Sequence, residues 1–491
     1  MNYMSPDNKW IGKPTIRPDG IEKVTGSAQY AADYTMPGMV WGKVLRSPHA
    51  HALIKKIDTS KAEALQGVLA VMTGADLPTL PLDVPLPTGP NDIRWISRGC
   101  MAQEKILYVG HPIAAVAATS QEIAIAALDL IEVDYEVLPH VIDVDEAVAP
   151  GAPILHDWIK TEGIEGPTNI SNIMTVKTGD VEKGFDEADL VVERDFKSAA
   201  VHQGYLEPQS CVVSYKPDSQ STIWSSSQGQ FMVRGLTATI TGMATGDIKA
   251  IPAEIGGGFG GKTIIYLEPV AMVLSKKCGR PVKMQNTREE VFHSTGPAPG
   301  MSAHLKVGVT KEGKLTAVEG SYNMQAGCYP GSPVGRACHF SFSCYDIPNA
   351  NLKGLDIVSN RPNVAAYRAP GPPTRRARRL PPARRVGHEA ARRAKVERHG
   401  RLRAIHDDFV QHGLGGRKGD GARVAAVAAA EHRAEGATRK GAAASPGSPA
   451  RGAASTRPIE SLHFQCPAIF PYQTQEVLVT PVSVVVSCHF H

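Results

Sequence analysis

Residues Gly256 to Thr263 read GGGFGGKT, with five glycines in the six positions from Gly256 to Gly261. Without a Cβ at those positions the main chain can come within hydrogen-bonding distance of a ligand. The string fits two phosphate-loop patterns at once. Gly256, Gly258 and Gly261 match the dinucleotide fingerprint, and Gly256, Gly261, Lys262 and Thr263 match the Walker A pattern. The flanking sequence argues against both. A Walker A loop should follow a clean apolar strand, yet Ile248 to Ile255 contains Pro252 and Glu254, and proline is out of place in a central strand. No later apolar run ending in Asp follows at a distance useful for magnesium. The acids nearest the position for a ribose contact, Glu289 and Glu290, lie beyond the roughly 20-residue offset that dinucleotide folds use. A turn with no ligand is the bland alternative, and a cofactor bearing a phosphate or pterin is the reading that remains.

The chain has 491 residues, enough for two to four domains and a large core. No apolar run reaches the length of a membrane span. The start, MNYMSPDNKWIGKP, has no apolar signal core and predicts a cytoplasmic protein. The eight cysteines include no C-x-x-C pair, which argues against an iron–sulfur cluster or structural zinc held by this chain. The net charge of +5 is unevenly spread. Residues 372–458 hold 17 Arg and 3 Lys against 7 acids, whereas residues 1–371 carry a net −6. The overall basicity is therefore no warrant for a nucleic-acid partner.

The pattern of elements predicts an α+β chain. Asp58-Thr59-Ser60 opens a short helix ending at Gly67, and Val68 to Met72 reads as a strand. Gly110 ends a strand, and PIAAVAA, Pro112 to Ala118, reads as a strand buried on both faces. Thr119 to Glu122 reads as a capping box, with Ile123, Ala126, Ala127 and Leu130 at helical spacing behind it. Ile131, Val133, Tyr135 and Val137 alternate with acids as in a half-exposed strand. This first domain ends near residue 140, and a connector rich in Pro and Gly, Val148 to Pro167, leads to a second domain richer in strands. There Asp189 to Arg194, Ser210 to Tyr215 and Thr222 to Ser226 read as strands. Ser302 to Thr310 and Leu315 to Tyr322 form a hairpin around Lys311-Glu312-Gly313-Lys314, and Leu267 to Cys278 is a helix stopped by Gly279.

At Pro372 the composition changes. Residues 372–458 hold 20 Ala but only ten Leu, Ile, Val and Phe among 87, too few for a core. Out-of-frame translation of a GC-rich gene, a disordered basic tail binding RNA and an unusual helical domain are the competing readings, and the first fits best. The last 33 residues are apolar and free of Lys and Arg, which fits patchwork. His489 and His491 beside Cys488 form a weak metal motif.

Seven strings taken together resemble the large, molybdenum-binding subunit of the xanthine dehydrogenase family. They are GIEKVTGSAQYAADY (Gly20 to Tyr34), LRSPHAHA (Leu45 to Ala52), VGHPIAAVAA (Val109 to Ala118), HQGYLEPQ (His202 to Gln209), SSQ (Ser226 to Gln228), GGGFGGK (Gly256 to Lys262) and AYRAPG (Ala366 to Gly371). They stand in the family's order and cover about residues 10–371. The resemblance implies an N-terminal extension over 1–19, an α/β-hammerhead domain over 20–140, a connector over 141–167 and the first part of a molybdopterin-binding domain over 168–371. Residues 372–491 then form an aberrant tail where relatives continue.

The resemblance also implies a site. In the family the metal is held by the pterin dithiolene, and the protein supplies position and hydrogen bonds. Gln228 matches the glutamine whose amide approaches the apical oxo group. Phe259 and Gly260 match residues whose backbone approaches the metal's oxygen ligands and the pterin, with Gly257 and Gly258 in the same crowded loop. Arg368 matches the arginine whose backbone lies beside the cofactor, and Arg336 aligns with an arginine that orients substrate in purine oxidisers. Where purine oxidisers carry glutamate this chain has Thr263, and where carbon monoxide dehydrogenases carry a copper-binding cysteine it has Ala369. N-heterocycles, aldehydes and aromatic thioesters remain as substrates, with water as the oxygen source. The family's glutamate base lies in a distal G-x-G-E motif that is absent here, so no catalytic side chain is assigned. Glu207 and Glu254 sit too early to replace it. The implied partners are a small subunit with [2Fe–2S] clusters and a medium subunit with FAD, in a cytoplasmic hetero-oligomer without membrane or nucleic acid. The rivals from other classes are a P-loop nucleotide-binding protein and an RNA-binding protein led by the basic tail.

Overall fold

A computed structural model of the chain describes residues 9–10, 12–80, 92–343 and 345–370. The readings placed on residues 372–491, including the basic tail and the Cys488 cluster, fall outside the described residues. The early strands are β1 (Val40–Arg46), β2 (Ala52–Asp58), β3 (Val68–Thr73), β4 (Lys105–Ile106), β5 (Pro112–Ala118) and β6 (Glu132–Val137). Then come β7 (Ile170–Thr178), β8 (Leu190–Ser198), β9 (Ser210–Ser214), β10 (Ser221–Ser225) and β11 (Ile248–Pro252). The last are β12 (Val282–Gln285), β13 (Met301–Val309), β14 (Leu315–Gly327) and β15 (Asn349–Val358).

They form three sheets, in the orders β11-β10-β9-β12-β1-β5-β3, β7-β15-β14-β13-β8 and β4-β2-β6. The first sheet joins early and late parts of the sequence. Strand β1 runs parallel to β12, with Val40 opposite Val282 and Gly42 opposite Met284. Strand β5 is buried at every residue. Its Ala114, Val116 and Ala118 pack with Ala62, Ala124 and Ala127, while Ala115 and Ala117 enter the larger core on the other face. A strand that serves two cores must be apolar throughout, and this explains why PIAAVAA does not alternate.

Helices Gln230–Thr241 and Glu268–Cys278 contribute Val233, Leu236, Val270 and Leu274 to that larger core. The second ends at Gly279, whose φ of 66° is a left-handed cap. Pro252 closes β11, an edge strand, where its missing N–H breaks no internal ladder.

Local boundaries differ from the sequence reading in several places, and the helix expected to end at Gly67 spans Ser60–Ala64. The cap before helix Gln121–Leu128 is Ser120, whose hydroxyl accepts from Ile123 N–H, so the capping box starting at Thr119 does not form. The buried face of that helix is Ala124 and Ala127, whereas Ala126 is exposed and Leu130 lies past the helix end. The strand expected to end at Gly110 is the two-residue β4, and Gly110 sits in a turn. The Pro- and Gly-bearing segment after residue 148 is packed, with Leu155 and Ile159 buried against Ile357 and Val358.

Candidate cofactor site

The glycine-rich segment lies between β11 and helix Glu268–Cys278, and side chains from two other segments shape it. Gln228, just beyond β10, points its Oε1 into the bend and accepts from Gly260 N–H at 2.8 Å and Lys262 N–H at 3.3 Å. The Gln228 main-chain N–H in turn donates to the Lys262 carbonyl at 2.9 Å. With Oε1 committed to two donors, the amide nitrogen of this side chain is turned away from the bend. From the other side, Arg368 N–H donates to the Phe259 carbonyl at 2.8 Å.

The bend leaves no space for side chains. A Cβ on Gly258 would lie 2.6 Å from Gln228 Oε1. Gly260 has φ +104°, and a Cβ there would lie 2.4 Å from the Ala366 carbonyl oxygen. Phe259 and Ala369 are the only non-glycine residues with positive φ among the described residues, at 50° and 61°. One lies in the bend and the other directly follows Arg368, which is bonded to it. Strain of this kind persists only where surrounding contacts hold it, and it concentrates at ligand sites.

Among the described residues, the main-chain N–H groups of Gly257, Gly258 and Phe259 donate to no protein acceptor, while those of Gly256, Gly260, Gly261 and Lys262 are all engaged. Successive open main-chain donors in a bend with left-handed residues are the kind of arrangement that binds oxygen atoms of an anionic ligand. These residues fit a metal–pterin group of the kind the sequence resemblance implies.

Lys262 does not behave as a Walker lysine. Its side chain is 1% exposed, and its Nζ donates to Glu207 Oε2 at 2.7 Å and lies 4.9 Å from the centre of the Tyr205 ring. Burial lowers its pKa, and the Glu207 charge opposes that shift. The Thr263 hydroxyl donates to the Gly260 carbonyl at 2.7 Å. A phosphate-binding lysine and magnesium-binding threonine must face the nucleotide, so the triphosphatase reading fails here. The segment His202 to Gln209 contributes more than its sequence disclosed. Gln203 Nε2 bridges the carbonyls of Gly296 at 3.1 Å and Ala366 at 2.9 Å. His202 accepts from Gly204 N–H through Nδ1 and donates to Thr295 through Nε2, and burial lowers its pKa to about 4. Gln203, Tyr205, Glu207 and Lys262 were not singled out as site residues from the sequence, although all lie in the two motifs that were.

Arg336 sits on helix Val334–Phe340, which packs against β7 and β15, and its side chain is exposed. It makes none of the contacts described around the bend. Glu254 is paired with Lys23, and its N–H donates to the Gln29 carbonyl. An apolar cavity of about 50 Å³ lies beside the segment that follows the bend, walled by Trp95, Tyr108, Ile264, Tyr266, Cys328 and Val364.

Comparison with known proteins gives the site its context. Residues 164–377 match the family described as molybdopterin cofactor-binding domain, and residues 25–139 match the aldehyde oxidase and xanthine dehydrogenase a/b hammerhead domain. The nicotinate dehydrogenase large molybdopterin subunit of Eubacterium barkeri is 31% identical over 375 residues, which are 75% of this chain and 84% of that protein. The chain belongs to the xanthine dehydrogenase family of molybdenum hydroxylases. The carbon monoxide dehydrogenase large chain of Afipia carboxidovorans, a further relative within this family, is 35% identical over 372 residues, which are 73% of this chain and 45% of that protein. Reconstituted CO dehydrogenase from Oligotropha carboxidovorans superposes with a TM-score of 0.67 at 27% identity, over 87% of this chain and 56% of that one. The chain thus spans most of one relative in the xanthine dehydrogenase family and about half of others. Among the described residues no helix is long and apolar enough to cross a membrane.

Proposed function

We infer that this chain is a molybdopterin-binding subunit of a hydroxylase that oxidises an N-heterocycle, an aldehyde or an aromatic thioester with water as the oxygen source. The observation that carries the reading is the row of open N–H groups at Gly257, Gly258 and Phe259, braced by Gln228 on one side and Arg368 on the other. When bound, the molybdenum centre supplies the two-electron acceptor and the site of water activation. The chain's own task is to bind and orient it. The bend offers its three open amides to the oxygen atoms of the group, and Gln228 offers the amide nitrogen that its anchored Oε1 turns outward.

The substrate assignment has separate supports. The Thr263 hydroxyl is spent on the Gly260 carbonyl, so this position offers neither the carboxylate of purine oxidisers nor a free donor. Ala369 has no thiol for copper. The Eubacterium barkeri relative is named for nicotinate, itself an N-heterocycle. Electrons would leave through partner subunits bearing [2Fe–2S] clusters and FAD. Arg336 is retained as a substrate-orienting residue on the sequence resemblance alone. The 20–140 and 168–371 division into hammerhead and cofactor-binding domains is likewise part of this reading.

The test is metal and pterin analysis of the full chain expressed with its partner subunits. Near-stoichiometric molybdenum with a pterin supports the reading. A metal-free chain stabilised by ATP would replace it with a nucleotide-binding function.

A further inference from the structure

The bend is held at both ends by one oxygen atom. Glu207 Oε2 accepts from Gly256 N–H at 2.8 Å and from Lys262 Nζ at 2.7 Å, and these two residues flank the five positions between them. A Cβ on Gly256 would lie 2.6 Å from Glu207 Cβ, so the carboxylate arm lies directly against the entry to the bend. Glu207 Oε1 is buried and has no hydrogen-bond partner among the described residues. The arm itself is fixed from behind, because Arg288 donates to the carbonyls of Tyr205 at 2.8 Å and Leu206 at 2.6 Å. A buried lysine and a nearly buried glutamate are an inefficient way to stabilise a fold, since desolvation consumes most of their attraction. A glycine-rich segment, however, has the largest conformational freedom to lose on ordering. A ligand that must order it binds less tightly than one that finds it already shaped.

We propose that Glu207 is a positioning residue for the cofactor. By capturing Gly256 N–H at the entry to the bend it fixes the shape that leaves the Gly257, Gly258 and Phe259 amides open. The assignment rests on the cofactor reading above, and its test separates the two. Two double variants of the full chain remove the buried charge pair equally. Glu207→Gln with Lys262→Met keeps an oxygen acceptor for Gly256 N–H, while Glu207→Ala with Lys262→Met does not. If Glu207 positions the bend, the first retains molybdenum and pterin close to the unmodified chain. The second then loses about ten-fold in affinity for the group, the scale of one lost hydrogen bond. Equal loading of both variants overturns the proposal.

Hydrogen exchange of residues 256–263 in the cofactor-free chain gives an independent readout. Faster exchange in the Ala-containing double variant than in the Gln-containing one supports the clamp, and equal exchange overturns it. A chain that takes up no molybdenum in any form refutes the cofactor reading, while the exchange comparison still decides the role of Glu207.

Discussion

Gln228 and Gly260 are joined by a 2.8 Å hydrogen bond in which a side-chain oxygen captures a main-chain donor 32 positions further along the sequence. The same oxygen also holds Lys262 N–H, so one amide side chain fixes the exit of the bend and orients its own nitrogen. A residue that would be described only as a ligand contact is therefore also part of what shapes the site.

The two roles separate by substitution. Gln228→Glu keeps the acceptor and removes the outward donor. It should leave the melting temperature of the cofactor-free chain unchanged and lower molybdenum content. Gln228→Ala should lower both, with about ten-fold weaker retention of the cofactor for the lost hydrogen bonds. Metal analysis beside thermal melting checks this, and normal molybdenum content in Gln228→Glu would refute the outward role.

Glycine is required at two positions for different reasons. In Gly258→Ala the new Cβ meets the mobile end of Gln228, which can swing away at the expense of its bonds to Gly260 and Lys262. In Gly260→Ala it meets the Ala366 main chain at a φ of +104°, with no easy relief. Gly260→Ala should lower unfolding free energy by about 1–3 kcal/mol, and Gly258→Ala by less while still impairing cofactor binding. Urea unfolding of the two variants tests the order, and a reversed order would count against the geometry.

Three histidines give the fold an acid-sensitive window. Burial lowers His111, His156 and His202 from the ordinary 6.5 to about 4. The folded state favours their neutral forms, so their contribution is complete above about pH 6.5. It declines as pH falls toward 4, because the unfolded chain takes up protons first, and below that no more is lost. Each group can change stability by at most about 1.4 kcal/mol per pH unit within the window. Urea midpoints measured from pH 7 to pH 4.5 for the unmodified chain and for His111→Gln should converge as pH falls. Parallel curves would mean that His111 titrates normally.

The thiols of Cys100, Cys211 and Cys328 are buried and pushed well above the ordinary cysteine range by burial, and that of Cys338 is pushed up to about 11. Thiolate is the reactive form. Iodoacetamide at pH 8 should leave these four unmodified until the chain unfolds, as read by peptide mass mapping. Rapid labelling of Cys211 in particular would contradict its place in the large core.

Much of this architecture could be read from residue patterns. PIAAVAA announced a strand between two cores because both of its faces are apolar, and Gly279 announced a helix end because a left-handed cap suits it. The choice of Ser120 over Thr119 as a cap could not be read, since both hydroxyls stand at the same boundary and the end of β5 decides between them. At the site, the strings around Gln228, Phe259 and Arg368 were legible because they carry a family's pattern. The Glu207–Lys262 pair was not. Its members lie 55 positions apart, and no periodicity links an acid in one loop to a base in another. Arg336 was placed by its offset from Cys344 and Tyr345, and an offset along the chain does not fix which way a helix face points.

The parallel pairing of β1 with β12 also constrains how the protein is made. Residues 40–46 cannot complete their sheet until residues 282–285 have left the ribosome. Until then the nascent polypeptide carries a hydrophobic strand edge with nothing beside it, an invitation to misassembly. Such distant pairing also slows folding. Fragments ending before Gln285 should therefore be recovered as inclusion bodies, and the growing chain becomes a client for chaperones over that interval.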